Sequence, residues 1–303
     1  MTDINYDIKQ VKIVVSQTHM KWQRVIRKKN LSAPEDISIR ESADQIFKRP
    51  PLSISPDALL SQVATFLAIG PQIYLDGIVV IVDKDPVGRI SSKHILQKII
   101  NSKYTDWLNT TASELMDRSV LSIEMTSSLG TAMKIFGETR FAFLPITDKG
   151  SLIASLGIRD ILPLIVSTNM DTSAKHYSSP TIYVPKTTDL NHILNIMLSN
   201  GIRNVIIQDG GNTNLLNDRK ILEFLFSHKA REIMTVGNTE IGDFKVHDLD
   251  LIPISIISDD ITISKAAKLL MDISTPCVLF EKSIVTPWDV VMRTIGKNYL
   301  VSS

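Results

Sequence analysis

Two oxygen-bearing side chains stand three residues apart near the C-terminal end of the sequence, at Thr286 and Asp289. They follow the β-prone segment 283–285, and Pro287 lies between them. This spacing is typical of a helix N-terminus, where a side-chain oxygen accepts from a free backbone N–H group and proline is tolerated in the first turn. A helix N-terminus that carries a hydroxyl and a carboxylate can also hold the sugar and phosphates of a nucleotide. Taken alone, the local sequence favours a capped strand-to-helix junction.

The same junction occurs four times in the chain. The copies begin at Ser91, Gly157, Asn217 and Thr286, at intervals of roughly 60 to 70 residues. Before each copy the sequence predicts a short strand, an amphipathic helix whose apolar residues recur every three or four positions, and two further strands. The repeated order is therefore β-α-β-β-α, and it accounts for nearly all of the chain after Arg40. Units of this size are expected to pair, because one helix cannot cover both faces of a three-stranded sheet.

The sequence predicts an α+β fold made of four such units, preceded by an N-terminal arm at 1–41. Units one to four are predicted at 42–105, 106–170, 171–235 and 236–303. Each unit is predicted to begin with a short strand-like segment closed by a turn or cap, and these segments lie at 52–57, 120–123, 181–185 and 254–260. The predicted second and third strands lie at 78–82 and 87–90, 143–147 and 152–156, 205–208 and 215–216, and 278–280 and 284–285.

The repeated segments resemble tandem cystathionine-β-synthase (CBS) domains. The resemblance covers about residues 42–297. It rests on the segments 87–91, 144–153, 158–162, 201–207 and 286–289, supported by lead-in segments at 43–47, 112–116 and 246–249. It implies that units one and two form one Bateman module, that units three and four form a second, and that each module has a pseudo-twofold axis and two clefts. In this family such clefts typically bind adenine nucleotides or adenosyl compounds.

The resemblance also implies roles for individual residues. In the family, the hydroxyl at the junction and the acid three residues later hold ribose and phosphate, and apolar strand residues sandwich the adenine. Unit four keeps both polar groups, Thr286 and Asp289, and Ile254 and Ile284 would flank the base. A basic residue before the second strand often contacts phosphate, and Arg203 of unit three is the expected contact across the cleft shared with unit four.

The other three junctions depart from the family pattern. Unit two keeps the acid as Asp160 but has Gly157 at the hydroxyl position. Unit one keeps a hydroxyl, Ser91, but places His94 where the acid belongs. Unit three has Lys220 at the acid position, and lysine cannot accept the hydrogen bonds of a ribose diol. The sequence thus predicts one competent site in module two, a second candidate at Asp160, and two degenerate sites.

A simpler interpretation stands beside each of these assignments. Asp160 and Asp289 could serve only to neutralise helix N-termini, an interaction typically of about 0.3–1 kcal/mol. Arg203 could be a surface charge, and His94 is expected to be a solvent-facing helix residue. Cys277, beside a predicted buried strand, is expected to be a small core residue.

Bulk composition narrows the classes of function. The 303 residues carry a formal net charge of +1, so overall charge does not favour nucleic acid or membrane as a partner. The single cysteine cannot form an internal disulfide, and the N-terminus lacks the pattern of a signal peptide, so we expect a cytoplasmic protein. The six histidines are isolated and show no metal-ligand spacing. The pattern therefore indicates neither an enzyme nor a metal site.

The expected function is that of a stand-alone regulatory protein. It would bind AMP, ADP, ATP or S-adenosylmethionine in the clefts, require no cofactor, and signal to an unknown protein partner. The two modules would form a disc within a monomer or pair in a homodimer. Two alternatives remain open. One is a nucleic-acid-associated regulator acting through the basic helix predicted at 20–30, and the other is a structural scaffold with vestigial clefts.

Overall fold

The structure is a computed structural model that describes residues 37–40, 51–73, 76–102, 106–119, 122–237 and 239–300. The predicted basic helix at 20–30 and the lead-in segment 43–47 lie outside the described residues. The mixed fold of short sheets and helices confirms the predicted α+β class.

Module one contains the first two repeats, and in each of them a parallel strand pair is joined to an antiparallel hairpin. Strand β1 pairs parallel with β2, which pairs antiparallel with β3; β4, β5 and β6 repeat this arrangement. The unit-one elements are β1 (Ser53–Ile54), α1 (Leu60–Ile73), β2 (Ile78–Val82), β3 (Asp85–Ile90) and α2 (Ser92–Ile100). The unit-two elements are α3 (Ala112–Leu115), β4 (Ile123–Glu124), α4 (Leu129–Thr139), β5 (Phe143–Asp148), β6 (Ser151–Gly157) and, after the 3-10 turn Ile158–Ile161, α5 (Leu162–Ser167).

Module two repeats the order with a modified fourth unit. Unit three consists of β8 (Tyr183–Pro185), α6 (Leu190–Asn200), β9 (Asn204–Asp209), β10 (Asn212–Asn217), α7 (Asp218–Leu225) and α8 (His228–Gly237). Unit four consists of α9 (Ile263–Leu270), β12 (Val278–Leu279), β13 (Ser283–Val285) and α10 (Pro287–Arg293). In the segment 254–260, the strand-like part is one parallel bridge between Ile256 and Leu279. The turn that was predicted to close the segment begins at Ser258 and leads to the cap of α9.

Short lead-in strands cross between the units of module two. Strand β7 (Ser179–Pro180) lies at the start of unit three but pairs with β13 of unit four. Strand β11 (Ile252–Pro253) lies near the start of unit four but pairs with β10 of unit three. Module one has the corresponding crossing as a bridge between Arg89 of β3 and Asp117, near the start of unit two. Each module is therefore held together by backbone hydrogen bonds as well as by apolar packing.

Two large apolar cores join the modules to each other. One core combines helices and strands of units one and three, and includes Leu60 and Leu222. The other combines units two and four, and includes Ile165 and Leu270. Because units one and two, and units three and four, are also joined, the four units form a ring within the single chain.

Candidate functional site

The unit-four junction forms a reciprocal cap at the start of α10. The Thr286 backbone N–H and side-chain hydroxyl both donate to Asp289 Oδ2, at 2.9 and 2.6 Å. In return, the Asp289 N–H donates to Thr286 Oγ1 at 3.4 Å. Pro287 occupies the first helical position, where its missing N–H group needs no partner. The two side chains thus lie together as the spacing predicted.

Two residues that the sequence did not single out complete the surroundings of this carboxylate. Ser179 Oγ, from the crossing strand β7, donates to Asp289 Oδ1 at 2.9 Å. Arg293 Nε lies 3.4 Å from the same oxygen, and Arg293 Nη2 donates to Ser179 Oγ at 2.8 Å. A carboxylate offers about four acceptor directions, so Asp289 is fully engaged by the chain itself. A ribose diol could bind Asp289 only by replacing one of these donors.

The predicted base-flanking residues lie on one apolar cluster between the sheets of module two. Ile284 of β13 is 7% exposed and belongs to the cluster, while Ile254 packs against it and donates its N–H to the Thr213 carbonyl of unit three at 3.3 Å. Cys277 is buried in the same cluster, which confirms its expected place in the core, and burial raises the pKa of its thiol to about 12. The remaining members are Ile206, Leu215 and Leu279, with Tyr183 and Ile252 packed against them.

Arg203 lies at the seam between units one and three. Its Nε donates to Asp218 Oδ2 at 2.7 Å, and its Nη1 lies 3.6 Å from Asp76 Oδ1. Asp76, from unit one, also accepts from Arg219 Nη2 at 2.9 Å, and Asp218 accepts from the Ser92 hydroxyl. The ion pairs of Arg203 are with the carboxylates of Asp76 and Asp218, and its expected contact with a phosphate of a ligand stays a prediction.

Electrostatics in this seam are set by burial and by close arginines. Burial by itself would raise the pKa of Asp218. The positive charges of Arg203 and Arg219 and the hydrogen bond from Ser92 together outweigh burial, so the pKa lies below its usual value. Burial, reinforced by the neighbouring Arg203, lowers the pKa of Arg219 to about 10. Both groups therefore remain charged at neutral pH.

The unit-two junction places Asp160 in a buried cap. Asp160 is 5% exposed, and its Oδ2 accepts from the Gly157 N–H at 2.7 Å. A Cβ at Gly157 would lie 3.2 Å from Asp76 Oδ2 and 3.3 Å from Asp160 Oδ2. These two carboxylate oxygens leave little room for a hydroxyl-bearing side chain, which gives a physical reason for glycine at this junction.

The unit-one junction uses a histidine as its cap. The Ser91 N–H donates to His94 Nδ1 at 3.2 Å, so the imidazole takes the place that a carboxylate occupies in units two and four. The His94 ring lies 5.5 Å from the Phe141 ring, and burial lowers the pKa of His94. The expectation of a solvent-facing His94 was therefore wrong, because the half-buried ring packs on unit two.

The described residues form neither a cluster of metal ligands nor a membrane-spanning helix. No group of three or more His, Cys, Asp or Glu side chains in this part of the chain is placed to hold a metal ion. None of the helices among these residues has the length and apolar character needed to cross a bilayer.

Comparison with known proteins agrees with the repeat. The family model described as "CBS domain" matches residues 112–167. A search of curated proteins found no match. Among solved structures, a protein from Methanocaldococcus jannaschii, proposed to be an archaeal homologue of g-AMPK, superposes with a TM-score of 0.70 at 17% identity, covering 81% of this chain and 96% of that one. An uncharacterized conserved protein from Pyrococcus horikoshii gives a TM-score of 0.50 at 15% identity, covering 80% of this chain and 95% of that one.

At such identities these structures show the fold and nothing finer. The family match lies in unit two, and the structural likeness extends over about four fifths of the chain. Together they confirm the resemblance read from the four junctions. The chain thus contains a CBS domain at residues 112–167, and over about four fifths of its length it has the fold of the Methanocaldococcus jannaschii protein.

Proposed function

We propose that the chain is a regulatory, non-catalytic cytoplasmic protein that binds an adenine nucleotide or adenosyl compound in the cleft of module two. This cleft is defined by Ser179, Ile254, Ile284, Thr286 and Asp289. One observation carries the proposal. The unit-four junction is the one of the four that keeps both a hydroxyl and a carboxylate, and those groups adjoin an apolar cluster to which both units contribute. A nucleoside needs the same pairing of a polar edge for ribose and an apolar face for the base.

Binding would exchange partners at Asp289. The ribose hydroxyls donate to Asp289 in place of Ser179 Oγ, which lies at hydrogen-bond distance in the ligand-free arrangement. Arg293 Nε lies 3.4 Å from the carboxylate, while Nη1 donates to the carbonyls of Tyr177 and Ser178. Its Nη2, which donates to Ser179 Oγ, becomes available to a ligand phosphate once Ser179 is displaced. The adenine packs against Ile254 and Ile284, whose side chains adjoin one cluster from two units.

This exchange would also provide a signal. Ser179 belongs to β7, which pairs with β13 and leads directly into unit three. Displacing Ser179 therefore changes the contact between the two units, and a ligand shifts the arrangement to the extent that it binds one state more tightly than the other. A separate protein partner would read the change. Arg203, held by Asp76 and Asp218, is proposed as a further phosphate contact that would couple module two to unit one.

Isothermal titration calorimetry of the full chain with AMP, ADP, ATP and S-adenosylmethionine tests the proposal. We expect at least one of them to bind, and Asp289→Asn to weaken that binding about tenfold or more, because the variant loses the charge-assisted hydrogen bonds to ribose. Asp243→Asn is the matched control, since Asp243 also caps by accepting a backbone N–H three residues earlier, at 2.8 Å, but is exposed. The proposal would be refuted if none of the four ligands gave a heat of binding at millimolar concentration. It would also be refuted if the Asp289→Asn variant bound the ligand with the same affinity as the wild-type chain.

A further inference from the structure

The two modules have chemically different clefts at equivalent positions. The residue two before each junction is Arg89, Ser155, Leu215 or Ile284 in units one to four. In unit three, Leu215 pairs with Ile252 of the crossing strand β11, and this apolar pair lies on the module-two cluster. In unit one the same position is Arg89, and its partner in the crossing segment is Asp117. A charged pair thus replaces the apolar pair against which a base is expected to pack.

Arg89 is buried with an incomplete set of hydrogen bonds. It is 1% exposed, and its Nε donates to Asp117 Oδ2 at 3.2 Å. Its guanidinium carbon lies 3.5 Å from the centroid of the Phe141 ring, which supplies a cation–π contact but accepts no N–H group in the guanidinium plane. Nη1 is buried and has no hydrogen-bond partner among the described residues. Buried polar atoms in native proteins are nearly always paired, so this nitrogen indicates a missing acceptor.

The neighbouring groups show what that acceptor would be. His94 accepts the Ser91 N–H at Nδ1, so its neutral imidazole carries the proton at Nε2 and is a donor. The positive charge of Arg89 is already offset by Asp117, which makes a multiply charged phosphate a poor fit beside this carboxylate. The unpaired Nη1 therefore calls for an uncharged acceptor. A planar group with two adjacent acceptors would also engage Nη2, which lies in the same guanidinium plane.

We propose that the cleft of module one binds a 6-oxopurine nucleotide, with Arg89 donating to O6 and N7 of the base. Guanine and hypoxanthine present two acceptors at this edge, whereas adenine presents an amino donor beside N7, and a guanidinium has donors only. The inference rests on the proposed function in assuming that the clefts of this fold take nucleotides. It adds that the two modules sense different bases, adenine in module two and an oxopurine in module one.

Calorimetry with GMP and AMP on the wild-type chain and on Arg89 variants tests this assignment. We expect Arg89→Met, which keeps the apolar stem, to weaken GMP binding about tenfold or more and to leave AMP binding unchanged. Arg89→Lys should weaken GMP binding similarly, because an ammonium cannot donate to two acceptors in one plane. Guanosine should displace GMP, whereas inorganic phosphate should not, because recognition is of the base. Thermal unfolding of both variants checks that they are folded.

The outcomes separate this inference from the proposed function. If Arg89→Met binds GMP as tightly as the wild-type chain does, the oxopurine site is overturned. If Asp289→Asn still weakens AMP binding in the same experiment, the adenine site in module two remains supported. Displacement of GMP by inorganic phosphate, or AMP binding at the module-one cleft as tightly as GMP, overturns the oxopurine site as well. If neither Arg89→Met nor Asp289→Asn changes the affinity for either nucleotide, both proposals fail.

Discussion

The seam between units one and three gives the sharpest prediction about stability. Asp218 is 4% exposed, donates no proton at neutral pH, and accepts from Arg203 Nε at 2.7 Å and from the Ser92 hydroxyl. Asp218→Asn keeps the shape of the side chain and one acceptor oxygen but removes the charge. Arg203 and Arg219 would then share the single carboxylate of Asp76.

The expected loss is about 2 kcal/mol in the free energy of unfolding. A hydrogen bond to a charged group contributes roughly 1.5–3 kcal/mol, and an acid in the first turn of a helix adds about 0.3–1 kcal/mol. The loss in the free energy of unfolding should stay below the upper end of these ranges, because Asp76 still pairs with both arginines and Arg203 is 39% exposed. The exposed cap Asp243→Asn is the control and should change the free energy by less than about 0.5 kcal/mol.

Urea unfolding at several pH values provides the assay. The pKa of Asp218 in the folded chain lies below its usual value, so its stabilisation is fully present above the unfolded pKa of about 4 and is lost as the pH falls through the folded pKa. The difference between wild type and Asp218→Asn should therefore be largest at neutral pH and shrink in acid below about pH 4. A difference under about 0.5 kcal/mol at pH 7 would show that Asp76 alone satisfies both arginines, and would refute this reasoning.

Three further predictions concern packing. Gly77→Ala is expected to cost about 1–3 kcal/mol, since its Cβ would lie 1.9 Å from an aromatic ring of β5, whereas Gly242→Ala, with its nearest atom at 3.7 Å, should stay within about 0.5 kcal/mol in the same urea titration. Leu270→Ala should cost about 2–5 kcal/mol because Leu270 is fully buried, while its 43%-exposed neighbour gives the control Leu269→Ala, which should cost under about 1 kcal/mol; equal losses would contradict the core assignment. The Cys277 thiol, with its pKa raised by burial to about 12, should resist a thiol reagent at pH 8 until the chain is unfolded, and prompt reaction of the native chain would show that it is accessible.

Local pattern was enough to locate most of the regular structure. The strand predicted at 78–82 is found over Ile78–Val82, and the cap predicted at Thr286 and Asp289 forms through both side chains. These features depend on residues within a few positions of one another, which is where sequence periodicity and capping rules act. The unit boundaries stay predictions, and so do the ligand-binding roles of the site residues.

Contacts between distant segments were beyond such rules. The donors to Asp289 include Ser179, which lies 110 residues earlier, and nothing in its local sequence indicates that β7 crosses to unit four. Arg203 was expected to face unit four, yet its carboxylate partners include Asp76 of unit one. In the segment 254–260, the strand-like part forms a single bridge, and that bridge pairs Ile256 with Leu279, 23 residues later.

The sequence by itself determined the repeat, the class of fold and the one junction that keeps both Thr286 and Asp289, because periodicity and capping are local properties of the chain. Only the tertiary structure decided how these junctions are used. It closed the units into a ring and engaged Asp289 with Ser179 and Arg293. It also buried Arg89 beside Asp117, with one nitrogen that has no hydrogen-bond partner in the described part of the chain. Burial and pairing across a hundred residues depend on how sheets and helices pack, and a one-dimensional pattern does not contain that information.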